Sequence, residues 1–451
     1  MKTILSWLIL AVVSNALRAA ENPAHHVAAT NSVKLSAAYI SQLVEQMRTN
    51  HPALRAAGAR AQAAAFATNA VRSWEDPQFT FGGTIGDGER GPHLNEDGNL
   101  IYGLEQKLPL FGKPQAARRV AVAEAATEGA RAELQFQSLR RDLTRALFRA
   151  AYAERVIEVG RQDNAWLDTM VATTEERYRA GSATQIEVLR LQNERAKRAE
   201  MLRTDGFHRD HELVTVNRFL NRDLHAPLPR LDLPDAASSV AYAPGLVDLA
   251  VTHEPRLRLL HREIETAEVS VAAARKTRLP DVAGFADTRQ YTGDGGFREA
   301  TFGVKMSLPW FNRARYQSDV ARERARLSAA EADAADQEQA VREEVHHLTV
   351  NIDAARREAL LYREQILPRS EQALTVAHEI WLNNRGLFSD VMEARRMLIE
   401  AQLAQSRAIA EQYQLMAELV LMCGLSDIEA LATSGLGSET SEPKFFPPLK
   451  K

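Results

Sequence analysis

The sequence predicts a mainly α-helical chain with a small transmembrane β part, built as a tandem repeat. The run "GLEQKLPLFGK" (Gly103 to Lys113) returns as "FGVKMSLPWFN" (Phe302 to Asn312), each alternating in polarity and closing on Leu-Pro. Other landmarks recur in nearly constant register: His51 with Glu254, Pro109 with Pro309, Gly181 with Gly386 and Asn217 with Leu421, all 200 to 205 residues apart. Independent coincidences would not hold so steady an offset. Each Leu-Pro is also followed by a charged, helix-forming stretch longer than a globular core can use.

The first residues, "MKTILSWLILAVVSNALRAAEN", place Lys2 before an apolar run from Ile4 to Val13 and then small residues. This is the layout of a secretory signal, expected over residues 1–16 with cleavage as late as Ala20. The apolar run is too short to span a bilayer, and no later stretch reaches 18 apolar residues. The one cysteine, Cys423, sits in the apolar "ELVLMCGL", reads as a small buried hydrophobe and offers neither a disulfide nor an N-terminal lipid anchor. A net charge of −3 over 451 residues, 25% of them charged, argues against nucleic acid as a partner.

Repeat 1 is expected over residues 33–223, a Pro-rich linker over 224–245, repeat 2 over 246–431 and a flexible tail over 432–451. Each repeat opens with an Ala-rich amphipathic stretch, Val33 to about Ser73 and Leu246 to Thr277, read as one helix in each case. The period then falls to two. Phe79, Phe81 and Ile85 share one side of a strand; Tyr102, Leu104 and Leu108 share one side of the next, leaving Glu105 and Lys107 opposite. Phe302, Val304, Met306 and Leu308 likewise oppose Lys305, whereas "DVAGFADTRQY" alternates poorly. Gly86-Asp87-Gly88 and the run Gly293 to Gly296 read as turns between paired strands. No Gly-Lys-Ser/Thr follows them, which excludes a phosphate loop.

Four strands, apolar on one face and carrying Lys and Glu on the other, fit a membrane barrel wall or a half-buried soluble sheet; export and duplication favour the wall. Four strands cannot close a barrel, and an open edge in hydrocarbon leaves backbone groups unpaired, so the wall is expected to be shared between chains. From Gln115 to Arg179 there is no proline, allowing a helix of about 95 Å. The equivalent run from Arg313 to Asn384 contains Pro368, which is expected to break it. A plain coiled-coil rod would explain the helices but not the strands.

These residues resemble the TolC-type outer-membrane efflux channels. Leu108, Pro109 and Phe111, and again Leu308, Pro309 and Phe311, match the Leu-Pro-x-Phe of that family's strand-to-helix junction. Tyr178 to Gly181, and more loosely Trp381 to Gly386, match the turn between its long helices. The stretch "DPQFTFGG" with "LEQKLPLFGK" is similar to the cobalt-zinc-cadmium and copper-silver resistance branch. The resemblance implies a homotrimer whose twelve strands form an outer-membrane β-barrel continuous with a twelve-helix periplasmic α-barrel. It implies as partners the lipid of the outer membrane, a periplasmic adaptor and an inner-membrane pump such as one of the RND type, with no enzyme activity and no cofactor.

Family tip residues carry over to Glu187, followed by Arg190 on the next turn, and to Asp390 and Glu393, which share a helix face. Repeated by symmetry they would form a cation-selective ring at the tunnel mouth. The second turn reads two residues shorter than the first. Glu105, Lys107 and Lys305 would face the lumen. His208 and His211 lie three apart on a helix without a third ligand, so no metal site is expected. A periplasmic coiled-coil adaptor is the alternative, but it would need a β-rich module between paired helices that the sequence lacks.

Overall fold

The computed structural model of the chain describes residues 32–71, 74–84, 86–88, 91–93, 99–291 and 295–434. The expected signal segment, Ile85, Gly293, Asp294 and the tail beyond 434 lie outside them. The first repeat runs β1 (Ser32–Lys34), α1 (Ala37–Asn50), α2 (Pro52–Ala70), β2 (Gln78–Thr84), β3 (Gly86–Gly88), β4 (Gly91–His93), β5 (Asn99–Leu108), α3 (Lys113–Arg179) and α4 (Gln185–Leu220). After β6 (Arg230–Asp232), the second runs α5 (Pro244–His253), α6 (Pro255–Thr277), β7 (Val282–Tyr291) and β8 (Phe297–Met306). It continues through a 3₁₀ turn (Pro309–Asn312) into α7 (Arg313–Leu361), a π turn (Tyr362–Ile366), α8 (Leu367–Leu382), α9 (Phe388–Met422) and α10 (Ile428–Ser434).

The single amphipathic helix expected at the head of each repeat is two helices. His51 and Glu254 each precede a proline, which disfavours αR for the residue before it, and both are extended at ψ 125 and 122. Pro52 and Pro255 then sit in the first helical turn, where a missing N–H costs nothing. The ring of His51 accepts the Ala53 N–H at 3.2 Å, and the Glu254 carboxylate accepts that of Leu257. The start of repeat 1 is also a strand: β1 pairs in parallel with β6, tying the chain's first described residues to the segment between the repeats.

Pro368 does not break its helix. The turn before it widens, and the Leu367 N–H reaches back five residues to the Tyr362 carbonyl. Proline removes one donor and crowds the carbonyl four residues earlier; a π turn absorbs both. The long helices therefore have equivalent reach. α3 has 67 residues, about 100 Å of rise.

The glycine run read as a turn is a short extension of the hairpin, with Gly86–Gly88 antiparallel to Gly91–His93. Four strands form the main sheet in the order β2-β5-β7-β8, all antiparallel.

Buried side chains gather in three places. Met47, Leu143, Leu147, Phe148 and Leu220 pack α1, α3 and α4 together midway along α3. Val345, Leu348, Ile352, Met416 and Leu419 do the same for the second repeat, beside Leu246 and Ala250 of α5. A third cluster, Leu167, Met170, Leu191, Trp381, Phe388 and Val391, joins the helix ends farthest from the sheet.

Cys423 is fully buried in the second cluster, and desolvation pushes its thiol up to about 12. Because the thiolate is the reactive species, native protein is expected to resist iodoacetamide at neutral pH and to react stoichiometrically once denatured. Mass spectrometry after each treatment checks this; rapid native labelling would contradict the burial.

Candidate functional site: a two-faced sheet and the paired helix turns

The strand register sorts the sheet's side chains. Phe79 lies opposite Leu104, then Ala286, then Phe302; Phe81 lies opposite Tyr102, Thr288 and Ala300; Gln106 leads to Gly284 and Val304. These rows share a face because directly paired residues point the same way. Its large side chains are open to the surroundings: Phe79 is 67% exposed, Phe302 79% and Val304 69%. The register shift at Arg289/Gln290 brings Phe297 opposite Gln290, in line with Leu100, so the bulge returns Phe297 to the same face.

The opposite face holds Glu105, Phe285 and Gly303 in one row and Lys107, Ala283 and Lys305 in the next. Lys305 donates to Glu105 at 2.5 Å and lies 4.9 Å over the Phe285 ring. Lys107 pairs instead with Glu75 at 2.7 Å. Phe285 fills the space that Gly303 leaves: a Cβ there would come within 2.5 Å of the ring. One face is therefore mostly apolar and the other is polar, with Lys107, Lys305 and Arg289 in ion pairs.

The strand-to-helix junctions differ in construction. Leu108 ends β5, Pro109 follows, and Phe111 and Gly112 take successive left-handed conformations, φ 60 and 71, before α3. In the second repeat Pro309 is buried and opens the 3₁₀ turn, while Leu308 and Phe311 stay exposed at 46% and 79%.

At the other end the two turns are the same length. α3 ends at Arg179 and α4 starts at Gln185; α8 ends at Leu382 and α9 starts at Phe388, a constant offset of 203. The second turn is thus not two residues shorter. The left-handed residue that ends the helix is Gly181 in the first and Asn384, φ 56, in the second, not Gly386. Each closes a Schellman motif: Ser182 N–H to Arg177 O at 2.8 Å, and Arg385 N–H to Ile380 O at 3.0 Å. Asparagine tolerates αL better than other chiral residues, so it can replace glycine there.

That register makes Glu187 and Asp390 equivalent, each the third residue of its helix, and sets Glu393 against Arg190. The equivalence ends at the backbone. Thr184 caps α4 by accepting the Glu187 N–H at 3.4 Å, the first half of a capping box, and Glu187 is partly buried. Leu387 caps α9 without a side-chain bond; Asp390 is exposed and accepts the Ser389 hydroxyl at 3.3 Å. Glu393 is exposed and pairs with Arg396 at 3.0 Å, while among the described residues Glu187 has no ion pair with Arg190.

Residues that sequence reasoning missed hold these turns together. Arg177 of α3 lies 4.5 Å over the Trp381 ring and donates to the carbonyls of Trp381 and Leu382 at 3.2 and 2.8 Å, and to Asn384 Oδ1. Deeper, buried Asp163 accepts from Arg395 of α9 at 2.9 Å and lies 3.3 Å from Arg198 of α4. Arg395 also stacks on Trp166 at 4.9 Å. One carboxylate thereby ties three helices from both repeats. No group of three or more His, Cys, Asp and Glu able to hold a metal ion occurs among the described residues.

The profile of the family described as "Outer membrane efflux protein" matches residues 43–203 and 246–425, that is, both repeats and most of the chain. No curated protein matches the sequence. Among solved structures, the outer membrane protein VceC of Vibrio cholerae is similar with a TM-score of 0.73 at 21% identity, covering 86% of this chain and 96% of its own. A membrane protein from Pseudomonas aeruginosa gives 0.76 at 18% identity, with 86% and 90% covered. CusC, described for its conformational changes accompanying folding and transmembrane channel formation, gives 0.73 at 14% identity, with 85% and 92% covered. At these identities the likeness establishes the fold, a mainly helical tandem repeat with a β-barrel part. The chain belongs to the outer membrane efflux protein family, and its place is the outer membrane.

Proposed function

We propose that the chain is the outer-membrane channel of a tripartite efflux system. In this reading a homotrimer forms a passive conduit from periplasm to exterior for substrate delivered by an inner-membrane pump and a periplasmic adaptor. One observation carries it: a four-stranded sheet with an exposed apolar face and a polar face, running directly into helices of about 100 Å. Such a wall cannot close alone, and its polar face suits a water-filled interior. In this reading work and selectivity belong to the pump. Heavy-metal cations are the cargo that the branch resemblance suggests, tested by the metal and drug sensitivity of a deletion strain.

The acidic residues of the second turn are proposed to constrict the tunnel mouth. Asp390 is exposed, and Glu393 lies three residues on along the same face; Arg396 offsets Glu393 in part, and Glu187 is half-buried. The turns also carry Arg385 and Arg190, which dilute the negative potential.

Two measurements test this reading. In planar bilayers, Asp390→Ala with Glu393→Ala is expected to weaken block by multivalent cations while trimer mass is unchanged, and Glu187→Ala is expected to do less. Unchanged block in the double variant excludes the ring, and a larger loss from Glu187→Ala moves the constriction to the first repeat. For the wall, Leu104→Arg or Val304→Arg is expected to cost about 2–4 kcal/mol in folding into vesicles if the site lies near the bilayer midplane. Lys107 and Lys305 already place charge on the other face, so exchanging either for Gln is expected to cost little. Equal costs on both faces would reverse the assignment.

A further inference from the structure

Just beyond the strand ends the helices carry cations that have no ion pair among the described residues. Arg118 and Arg119 lie in the second turn of α3, Arg275 and Lys276 in the last turn of α6, Arg278 just past it, and Arg313 at the start of α7. All six are exposed, and among the described residues none has an ion pair or a side-chain hydrogen bond. Farther along the same helices the pattern reverses: Arg131 pairs with Glu128 and Glu263, Arg322 with Asp319 and Glu323, and Arg342 with Glu338. Of the carboxylates at the strand ends, Asp281 is engaged by Lys113 at 2.6 Å and Glu75 by Lys107 at 2.7 Å.

The six lie within the first two helical turns beyond the strands. Lys113 to Asp281, Thr127 to Thr266 at 2.9 Å and Arg131 to Glu263 at 3.1 Å fix the antiparallel register of α3 on α6, which sets Arg118 and Arg119 beside the stretch holding Arg275. Arg313 is at the top of that span and Arg118 and Arg119 are about 8 Å below the start of α3 at 1.5 Å per residue. Successive helical residues point about 100° apart, so Arg118 with Arg119, and Arg275 with Lys276, spread charge around a broad arc rather than one inward face. Exposed aromatics border the same span: Trp310 at 55%, Phe311 at 79%, Trp74 at 55% and Phe111 at 45%. Aromatic rings at the end of a lipid-facing sheet mark the depth of lipid headgroups.

We propose that this basic collar binds anionic phospholipid headgroups of the membrane leaflet that faces the helices. The inference rests on the membrane-channel reading above and adds a lipid class and the residues that select it. Guanidinium groups suit phosphate because they donate in a planar fork, and five of the six cations are arginine. An acidic protein would meet the same charges, but the flanking aromatics and the depth favour lipid.

The test uses the full chain inserted in vesicles of phosphatidylethanolamine with and without phosphatidylglycerol, then extracted in mild detergent for analysis of retained lipid. Wild type is expected to enrich phosphatidylglycerol about tenfold over phosphatidylethanolamine, with the enrichment falling as salt is raised. A variant carrying Arg118→Gln, Arg119→Gln, Arg275→Gln and Lys276→Gln is expected to lose the enrichment while keeping oligomer mass and single-channel conductance. Wild type that inserts and conducts without lipid preference overturns the collar and leaves the channel reading standing. So does an acidic protein retained in place of lipid. Failure to insert in either vesicle overturns both, and the salt dependence of wild type alone decides the proposal if the variant misfolds.

Discussion

The backbone groups along the outer edges of β2 and β8 constrain the rest of the molecule. Among the described residues each strand has a partner on one side only, yet each carries large apolar side chains on the exposed face. In hydrocarbon an unpaired amide costs several kcal/mol, by order of magnitude, and each edge strand exposes several. In the proposed trimer the β2 edge of one copy meets the β8 edge of the next, which leaves no edge unpaired. Once the sheet is one sector of a cylinder, the helices that continue its strands must be staves of a second cylinder, and their unusual length follows from that duty rather than from a core.

Duplication then lets two sectors diverge without losing geometry. The helix turns at the far end share loop length, Schellman closure and buried partners at Val188 and Val391, while their polar positions separate. The helix of Glu187 is capped by the Thr184 side chain; that of Asp390 has no side-chain cap. The network of Asp163 with Arg198 and Arg395 holds the two hairpins in contact, so the turns can vary their charge while their relative placement is kept by groups buried a few turns away.

Much of this was legible in the sequence because period-two and period-3.6 patterns are local. Phe79 and Phe81, Tyr102 and Leu104, and Phe302 and Val304 announce their strands by alternation. β7 was hard to read because its packing is between strands: Phe285 lies on the polar face, where it covers Gly303 and carries Lys305 over its ring. The break expected at Pro368 failed for a similar reason, since a π turn costs one residue of register and leaves no mark in composition. At the turns, aligning glycine with glycine misplaced Asn384, whose left-handed backbone shows only in three dimensions. The partners of Asp163 and Arg177 are as far as 232 and 207 residues away, beyond the reach of any spacing rule.

The central claim is that β2 of one protomer completes β8 of the next until three copies close the ring. Disulfide trapping tests it directly: a cysteine at Thr80 in β2 combined in turn with one at Glu299, Thr301 or Lys305 in β8, the native Cys423 being buried. The account predicts that at least one pair, oxidised in the membrane, yields a covalent ladder ending at three subunits on a denaturing gel. A monomer that keeps its sheet and forms no intersubunit bond with any of the three pairs would contradict it.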